Sequence, residues 1–284
     1  MEIKTIGVLG AGQMGSGIAQ VAASKGYKVV LRDIKQEFCD NALAKMRKSM
    51  EKRVAQGKAT QESVEATLAN ITTCVELEGV KDCDAVIEAV PEIFDLKYDT
   101  FKTLGEICKP DALLCTNTSS MSVSKIMEGC KNPERCAGMH FFMPVTAMKL
   151  VEVIKGDKTS DETVAAVKAL AAGIGKVAVE VKTDTPGFIV NRCLFAFMLE
   201  AVHCYECGVA TVDDIDTAIK LGLNHPLGPF EMMDMSGLDT FPHVCDTLES
   251  LPITTWDTPA SVKELVAEGK YGQKTGEGWH VYKK

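Results

Sequence analysis

Ile3-Lys4-Thr5-Ile6-Gly7-Val8-Leu9-Gly10-Ala11-Gly12-Gln13-Met14-Gly15-Ser16-Gly17-Ile18-Ala19-Gln20-Val21-Ala22-Ala23 reads as a strand, a glycine turn and a helix in unbroken succession. The apolar, β-rich run 3–9 is the strand, and the spacing of apolar residues in 17–23 is helical. Gly10 permits the tight turn, Gly12 lets the backbone approach a pyrophosphate, and Gly15 lets the helix pack closely on the strand. Glycine-rich turns are common, so context decides the reading. Here the turn follows a strand and opens a helix, and Asp33 lies twenty-one residues beyond Gly12 at the end of a second strand, 28–32. The combination predicts a dinucleotide held by Gly10, Gly12, Gln13, Met14 and Gly15. Asp33 would accept hydrogen bonds from the ribose hydroxyls, and its charge opposes a 2′-phosphate, favouring NAD(H) over NADP(H). The plainer reading of Asp33 is a strand-end acid facing water.

Outward from this motif, a long charged helical region covers about 36–69, and strands are expected at 71–75, 84–90, 111–116, 136–142 and 149–154. Helical segments at 96–108 and 122–129 separate them. Such alternation predicts a mainly parallel, Rossmann-type sheet with helices on both faces. A helix at 160–174 and a strand at 177–182 follow. The alternation then stops at Thr183-Asp184-Thr185-Pro186-Gly187. Beyond it the chain reads as helices at 188–207, 212–221, 229–249 and 259–268. The expected fold is therefore an α/β domain over 1–184 and a smaller all-helical domain over 185–284.

The 284 residues are 46% hydrophobic and 25% charged, enough for a substantial core and against disorder. Uninterrupted apolar runs such as 193–199 are far shorter than a bilayer span, and no signal peptide is read, so a soluble, unexported, cytoplasmic chain is expected. The eleven cysteines suit reduced thiols better than a disulfide framework, and only Cys204 and Cys207 have motif spacing. No metal site is expected. The net charge of −8 argues against nucleic acid and anionic membranes as general partners.

Several stretches carry a resemblance: Thr116-Asn117-Thr118-Ser119-Ser120, His140-Phe141-Phe142, Lys149-Leu150-Val151-Glu152-Val153, Asp184 to Arg192, Gly228-Pro229-Phe230 and Lys274 to Gly278. In this order they resemble the L-3-hydroxyacyl-CoA dehydrogenase family, most closely its bacterial 3-hydroxybutyryl-CoA dehydrogenases. The residues make chemical sense beside the resemblance. Glu152 interrupts an apolar run, where an inward carboxylate needs a partner. His140 follows a strand-like run, and a His–Glu pair would hold the imidazole for proton exchange. Taken singly, His140 could be a packing residue, Glu152 an edge-strand acid and Ser119 a turn or cap serine.

The resemblance implies an acid–base role for His140, an orienting role for Glu152, and substrate contacts for Ser119 and Asn191. It implies that Glu92 and Lys97 contact the nicotinamide-ribose side of NAD, with Lys274 a further candidate. The stretch 45–58 carries six bases against one acid, a local balance of +5. A solvated helix face is the ordinary reading of such a run, but the phosphates of coenzyme A need a basic patch, and the resemblance puts Lys52 and Lys58 nearest that role. One departure stands out: the family's Asn-Pro after His-Phe-Phe is Met143-Pro144 here, and methionine cannot replace an amide. The implied activity is NAD-dependent interconversion of acetoacetyl-CoA and (S)-3-hydroxybutyryl-CoA in short-chain fatty acid metabolism, by a homodimer or higher oligomer. A dehydrogenase of a free 3-hydroxy acid or sugar acid, or a non-catalytic dinucleotide-binding protein, remain as alternatives.

Overall fold

The computed structural model describes residues 2–236, 267–270, 275 and 277. Eight strands form one sheet: β1 (Thr5–Leu9), β2 (Lys28–Arg32), β3 (Ile71–Cys74), β4 (Ala85–Glu88), β5 (Leu113–Thr116), β6 (Cys136–Phe141), β7 (Leu150–Ile154) and β8 (Val177–Val181). They lie in the order β3-β2-β1-β4-β5-β6-β7-β8. The first six run parallel, and the chain reverses between β6 and β7, whose pairing is antiparallel. β8 then runs parallel to β7. Every residue of β4, β5 and β6 is buried, as expected of strands covered on both faces.

Two apolar layers cover the sheet. On one, Ile6, Val8, Ile18, Leu31 and Met139 pack together; on the other, Leu9, Val86, Phe101, Leu104 and Ile126 do so. The covering helices are α1 (Gln13–Ser24), α2 (Gln36–Ala55), α3 (Gln61–Ala69), α4 (Phe94–Ile107), α5 (Val123–Met127) and α6 (Asp161–Gly173). The single helical region expected over 36–69 is in fact two helices. Gly57 takes a φ of +69° at the break, and Thr60 opens α3 with a capping box to Ser63. Arg47 of α2 then reaches Glu65 of α3 with both guanidinium nitrogens.

After β8 all the described elements are helical: α7 (Val190–Glu206), α8 (Val212–Leu223) and α9 (Pro229–Ser236). Chain contacts place residues 1–248 in one compact unit and 249–284 in a second, so α7 to α9 belong to the same unit as the sheet. The Gly228-Pro229-Phe230 stretch has a local cause. The buried Asp216 of α8 accepts the amides of Phe230 and Glu231, and a Cβ on residue 228 would lie 2.2 Å from its carboxylate. The helix expected at 229–249 is described as far as Ser236; most of that expected at 259–268, and Lys274, lie outside the described residues. Among the described residues no helix is long and apolar enough to cross a membrane.

Candidate active site

The C-terminal ends of the parallel strands, where open α/β sheets bind ligands, lead into several of the residues singled out in the sequence: Gly10 to Gly15 after β1, Asp33 after β2, Glu92 after β4 and Ser119 after β5. At the end of β1, Gly10 has a φ of +98°, and a Cβ there would sit 2.5 Å from the carbonyl oxygen of Ala89. A Cβ on Gly15 would lie 1.8 Å from the carbonyl oxygen of Gly10. Gly12 differs: a Cβ there would meet nothing within 4 Å. It opens on a cavity of about 480 Å³, lined also by Gln13, Lys45, Ser49, Met143 and Thr146. No side chain caps the start of α1, which leaves its first amides and positive dipole end for an anion. These features fit the pyrophosphate of a dinucleotide.

Asp33 sits at the same turn, its Oδ2 accepting the amide of Ala11 at 2.6 Å and its Oδ1 that of Ile34 at 2.7 Å. The neighbouring Arg32 turns away, its Nε donating to the carbonyl of Val75 at 2.8 Å.

His140 and Glu152 are register partners across β6 and β7, so their side chains share a face. His140 Nδ1 lies 2.8 Å from Glu152 Oε2. Glu152 is 0% exposed and His140 5%. The other carboxylate oxygen of Glu152 accepts the amides of Ile189 and Val190, at 3.0 and 2.9 Å, at the start of α7. Burial pushes the Glu152 carboxyl up, but the bond from His140 and the Val190 and Ile189 amides outweigh it and hold it below the usual carboxylate range. The imidazole packs against the rings of Phe142 and Phe188, with centroids 4.6 and 5.5 Å away. With Nδ1 donating to Glu152, Nε2 is the nitrogen left for proton exchange.

Ser119 follows β5 in a loop held by Glu92. Oε1 of Glu92 accepts the hydroxyl of Thr118, the amide of Ser119 at 3.0 Å and the hydroxyl of Ser120 at 3.2 Å. Burial raises the Glu92 carboxyl, yet the charge of Lys97 and these donors bring it below its ordinary value. Lys97 borders the same cavity as His140, but its ammonium is engaged: the side chain is 1% exposed and reaches Glu88 at 2.7 Å and Glu92 at 3.2 Å. Glu88 also accepts the hydroxyl of Thr116 and the amide of Val90.

His140, Ser119, Asn191, Glu92, Met14 and Met143 all line one cavity of about 420 Å³. Two of its features were not read from the sequence. Asn117 also lines it, with its Oδ1 accepting the amide of Phe141 at 2.9 Å. Glu88, 0% exposed, organises the wall behind it. Its signal was akin to that of Glu152, a buried acid in an apolar strand, but at the strand's end: Ala85-Val86-Ile87-Glu88. Asp184 ties the segment after β8 to the start of α5, accepting Ser122 Oγ at 2.7 Å and the Ser124 amide at 2.8 Å.

The basic stretch divides. Lys58 and Arg53 line a third cavity, of about 520 Å³, between α1, α2 and α3, and Lys45 lines the cavity at Gly12. Lys52 is exposed on α2 and lines none of these cavities. Arg47 is already paired with Glu65.

A glycine turn at an uncapped helix, on a six-stranded parallel array ordered 3-2-1-4-5-6, defines a dinucleotide-binding protein of the Rossmann class. The chain belongs to the 3-hydroxyacyl-CoA dehydrogenase family, a family of oxidoreductases: residues 5–185 match its NAD binding domain and residues 187–282 its C-terminal domain. It is 41% identical to a 3-hydroxybutyryl-CoA dehydrogenase of Clostridioides difficile, over 98% of this chain and 99% of that one. The human hydroxyacyl-coenzyme A dehydrogenase, mitochondrial, is 41% identical over 99% of this chain and 92% of its own. The crystal structure of a Ralstonia eutropha (S)-3-hydroxybutyryl-CoA dehydrogenase superposes with a TM-score of 0.86 at 40% identity, covering 100% of both chains.

Proposed function

We propose that this NAD-dependent 3-hydroxyacyl-CoA dehydrogenase interconverts acetoacetyl-CoA and (S)-3-hydroxybutyryl-CoA, with His140 as the acid–base residue. The observation that carries the reading is the buried His140–Glu152 pair in a cavity shared with Ser119 and Asn191. When bound, the nicotinamide supplies or accepts hydride at C3 of the acyl group. Glu152 keeps Nδ1 of His140 protonated and stabilises the imidazolium. His140 Nε2 gives a proton to the ketone oxygen in reduction and takes it from the alcohol in oxidation. Ser119 donates a hydrogen bond to that oxygen, and Asn191 orients the thioester side. Gly12 and the first turn of α1 hold the pyrophosphate, Asp33 the adenosine ribose and Glu92 the nicotinamide ribose. The acid at 33, together with an Arg32 engaged by Val75, supports NADH over NADPH.

Lys58, with Arg53, takes the coenzyme A phosphates. We assign residues 1–184 to the dinucleotide and the His140–Glu152 machinery, and the helical region 185–284 to the substrate side, through Asn191, and to pairing subunits as a homodimer. Short-chain acyl metabolism, including that of butyrate, is the setting in which such an activity serves. A cytoplasmic location suits the ten described cysteines, all of them free thiols.

The test is loss of NADH absorbance with acetoacetyl-CoA and with acetoacetate, each repeated with NADPH. Turnover of the thioester far above that of the free acid is expected; equal rates would remove the coenzyme A assignment. No turnover of either would leave a dinucleotide-binding protein without this activity.

A further inference from the structure

Lys176 lies between α6 and β8, 8% exposed, and among the described residues no carboxylate pairs with it. Its ammonium donates instead to two backbone carbonyls, those of Val145 and, at 2.6 Å, Met148. A buried lysine costs desolvation, and a methionine of similar length would fill the space more cheaply unless the donors are needed. They meet a need of the segment that joins β6 to β7, residues 142–149. The middle of this segment leaves the sheet, so its carbonyls have no strand ladder to bond to, whereas the carbonyl of Lys149 at the end accepts the amide of Val177 at 2.8 Å.

The segment is a wall of two cavities. Met143 lines both the reaction cavity with His140 and the cavity that opens at Gly12. Val145, 3% exposed, packs against Gly17 of α1, where a Cβ would come within 2.8 Å of its own Cβ. Thr146 lines the cavity at Gly12 and also the one that holds Lys58. Apart from the bonds of Pro144 to the amides of Ala147 and Met148, the ammonium of Lys176 is, among the described residues, the polar tie on the segment's middle.

We infer that Lys176 is a positioning residue for cofactor binding: its ammonium fixes the 142–149 wall against α1 before the dinucleotide arrives. The inference rests on the reading above that the cavity at Gly12 takes the dinucleotide. Lys176 lines neither of these two cavities, so it touches neither ligand nor reacting atoms. Its effect is therefore on affinity for NADH more than on the chemical step.

Three variants of the full chain separate this from a bulk stability role. Lys176→Arg keeps charge and donors, Lys176→Gln keeps a neutral donor, and Lys176→Met keeps only the stem. For each folded variant, the NADH dissociation constant is read by fluorescence titration, with KM for NADH and kcat from turnover and the melting temperature in parallel. Affinity for NADH is expected to fall in the order Arg, Gln, Met, reaching about tenfold or more below wild type for Met, while kcat at saturating NADH changes by less than about threefold. The Arg variant should restore binding to within about threefold of wild type. If Lys176→Met does not fold, the Arg-to-Gln difference carries the test. Equal NADH affinity in any two folded variants that differ in donors overturns the inference, as does a kcat loss larger than the affinity loss. Failure of wild type itself to bind NADH would overturn the dinucleotide reading instead.

Discussion

Glu152 divides its carboxylate between two parts of the molecule: Oε2 meets His140 Nδ1 at 2.8 Å on β6, and Oε1 takes the two amides that begin α7. One buried group therefore orients the imidazole and seats the helix that carries Asn191. The antiparallel pairing of β6 and β7 makes this possible, because it sets residues 140 and 152 directly opposite each other.

Removing the imidazole should remove the chemistry. His140→Ala is expected to lower kcat by about 10²- to 10⁴-fold, the usual worth of a positioned acid–base group, with a smaller change in KM. Glu152→Gln presents an amide to Nδ1, loses the charge that stabilises the imidazolium, and should lower kcat by about tenfold or more. Steady-state turnover of acetoacetyl-CoA with NADH measures both. A wild-type rate in His140→Ala would exclude the mechanism.

Stability should depend on the same carboxylate in acid. Its folded pKa lies below the ordinary value of 4.5, so its contribution is complete above that value and disappears as pH falls through the folded pKa. Urea melts of wild type and Glu152→Gln should therefore differ most at neutral pH and converge as pH falls below the ordinary carboxylate range and through the folded pKa. A gap that stays constant on acidification would show that the Glu152 charge does not contribute this way.

The sequence made the first half of the fold legible because strand, glycine turn and helix each leave a local pattern, and the alternation repeats it. It also marked His140 and Glu152, each conspicuous as a polar residue in an apolar run. It carried no register, so their direct opposition was visible only in the sheet. The break at Gly57 was missed because a charged helical composition runs on both sides of it. Lys97 and Glu92 were read as a pair, and they do meet at 3.2 Å on one cavity, but the sequence did not show that Lys97 also answers the buried Glu88, nine residues back on another element. Lys176 gave no signal at all: a lysine after Gly175 looks like any surface turn, and only tertiary packing turns it inward.

The glycine turn allows a test in which fold and ligand effects separate. Gly15→Ala places a Cβ 1.8 Å from a carbonyl oxygen and must displace backbone, so it should lower the melting temperature by several degrees. Gly12→Ala meets no protein atom within 4 Å, so its fold should survive while NADH affinity falls about tenfold or more. If Gly12→Ala binds NADH as tightly as wild type, the pyrophosphate does not approach the backbone at this residue.

Met143 is 54% exposed where the resemblance leads one to expect an asparagine, and it borders both the reaction cavity and the cavity at Gly12. Met143→Asn restores an amide at little structural cost. It should lower KM for NADH by a few-fold, the worth of one net hydrogen bond of about 1 kcal/mol, without moving the melting temperature. Unchanged KM and turnover would mean that position 143 does not contact the cofactor.

The basic stretch divides in a way that predicts unequal substitutions. Lys58 lines a cavity while the guanidinium of Arg47 is taken up by Glu65, so equal charge at the two positions has unequal use. Lys58→Ala should raise KM for acetoacetyl-CoA roughly three- to tenfold, the size of one charge-assisted contact in a solvated site, and the effect should shrink as salt is added. Arg47→Ala should leave that KM near wild type and loosen only the contact between α2 and α3. The dissociation constant for NADH, measured in the same preparations, should move in neither. If Arg47→Ala weakens acetoacetyl-CoA as much as Lys58→Ala does, the patch acts through its summed field, and the assignment of Lys58 as a direct phosphate contact is lost.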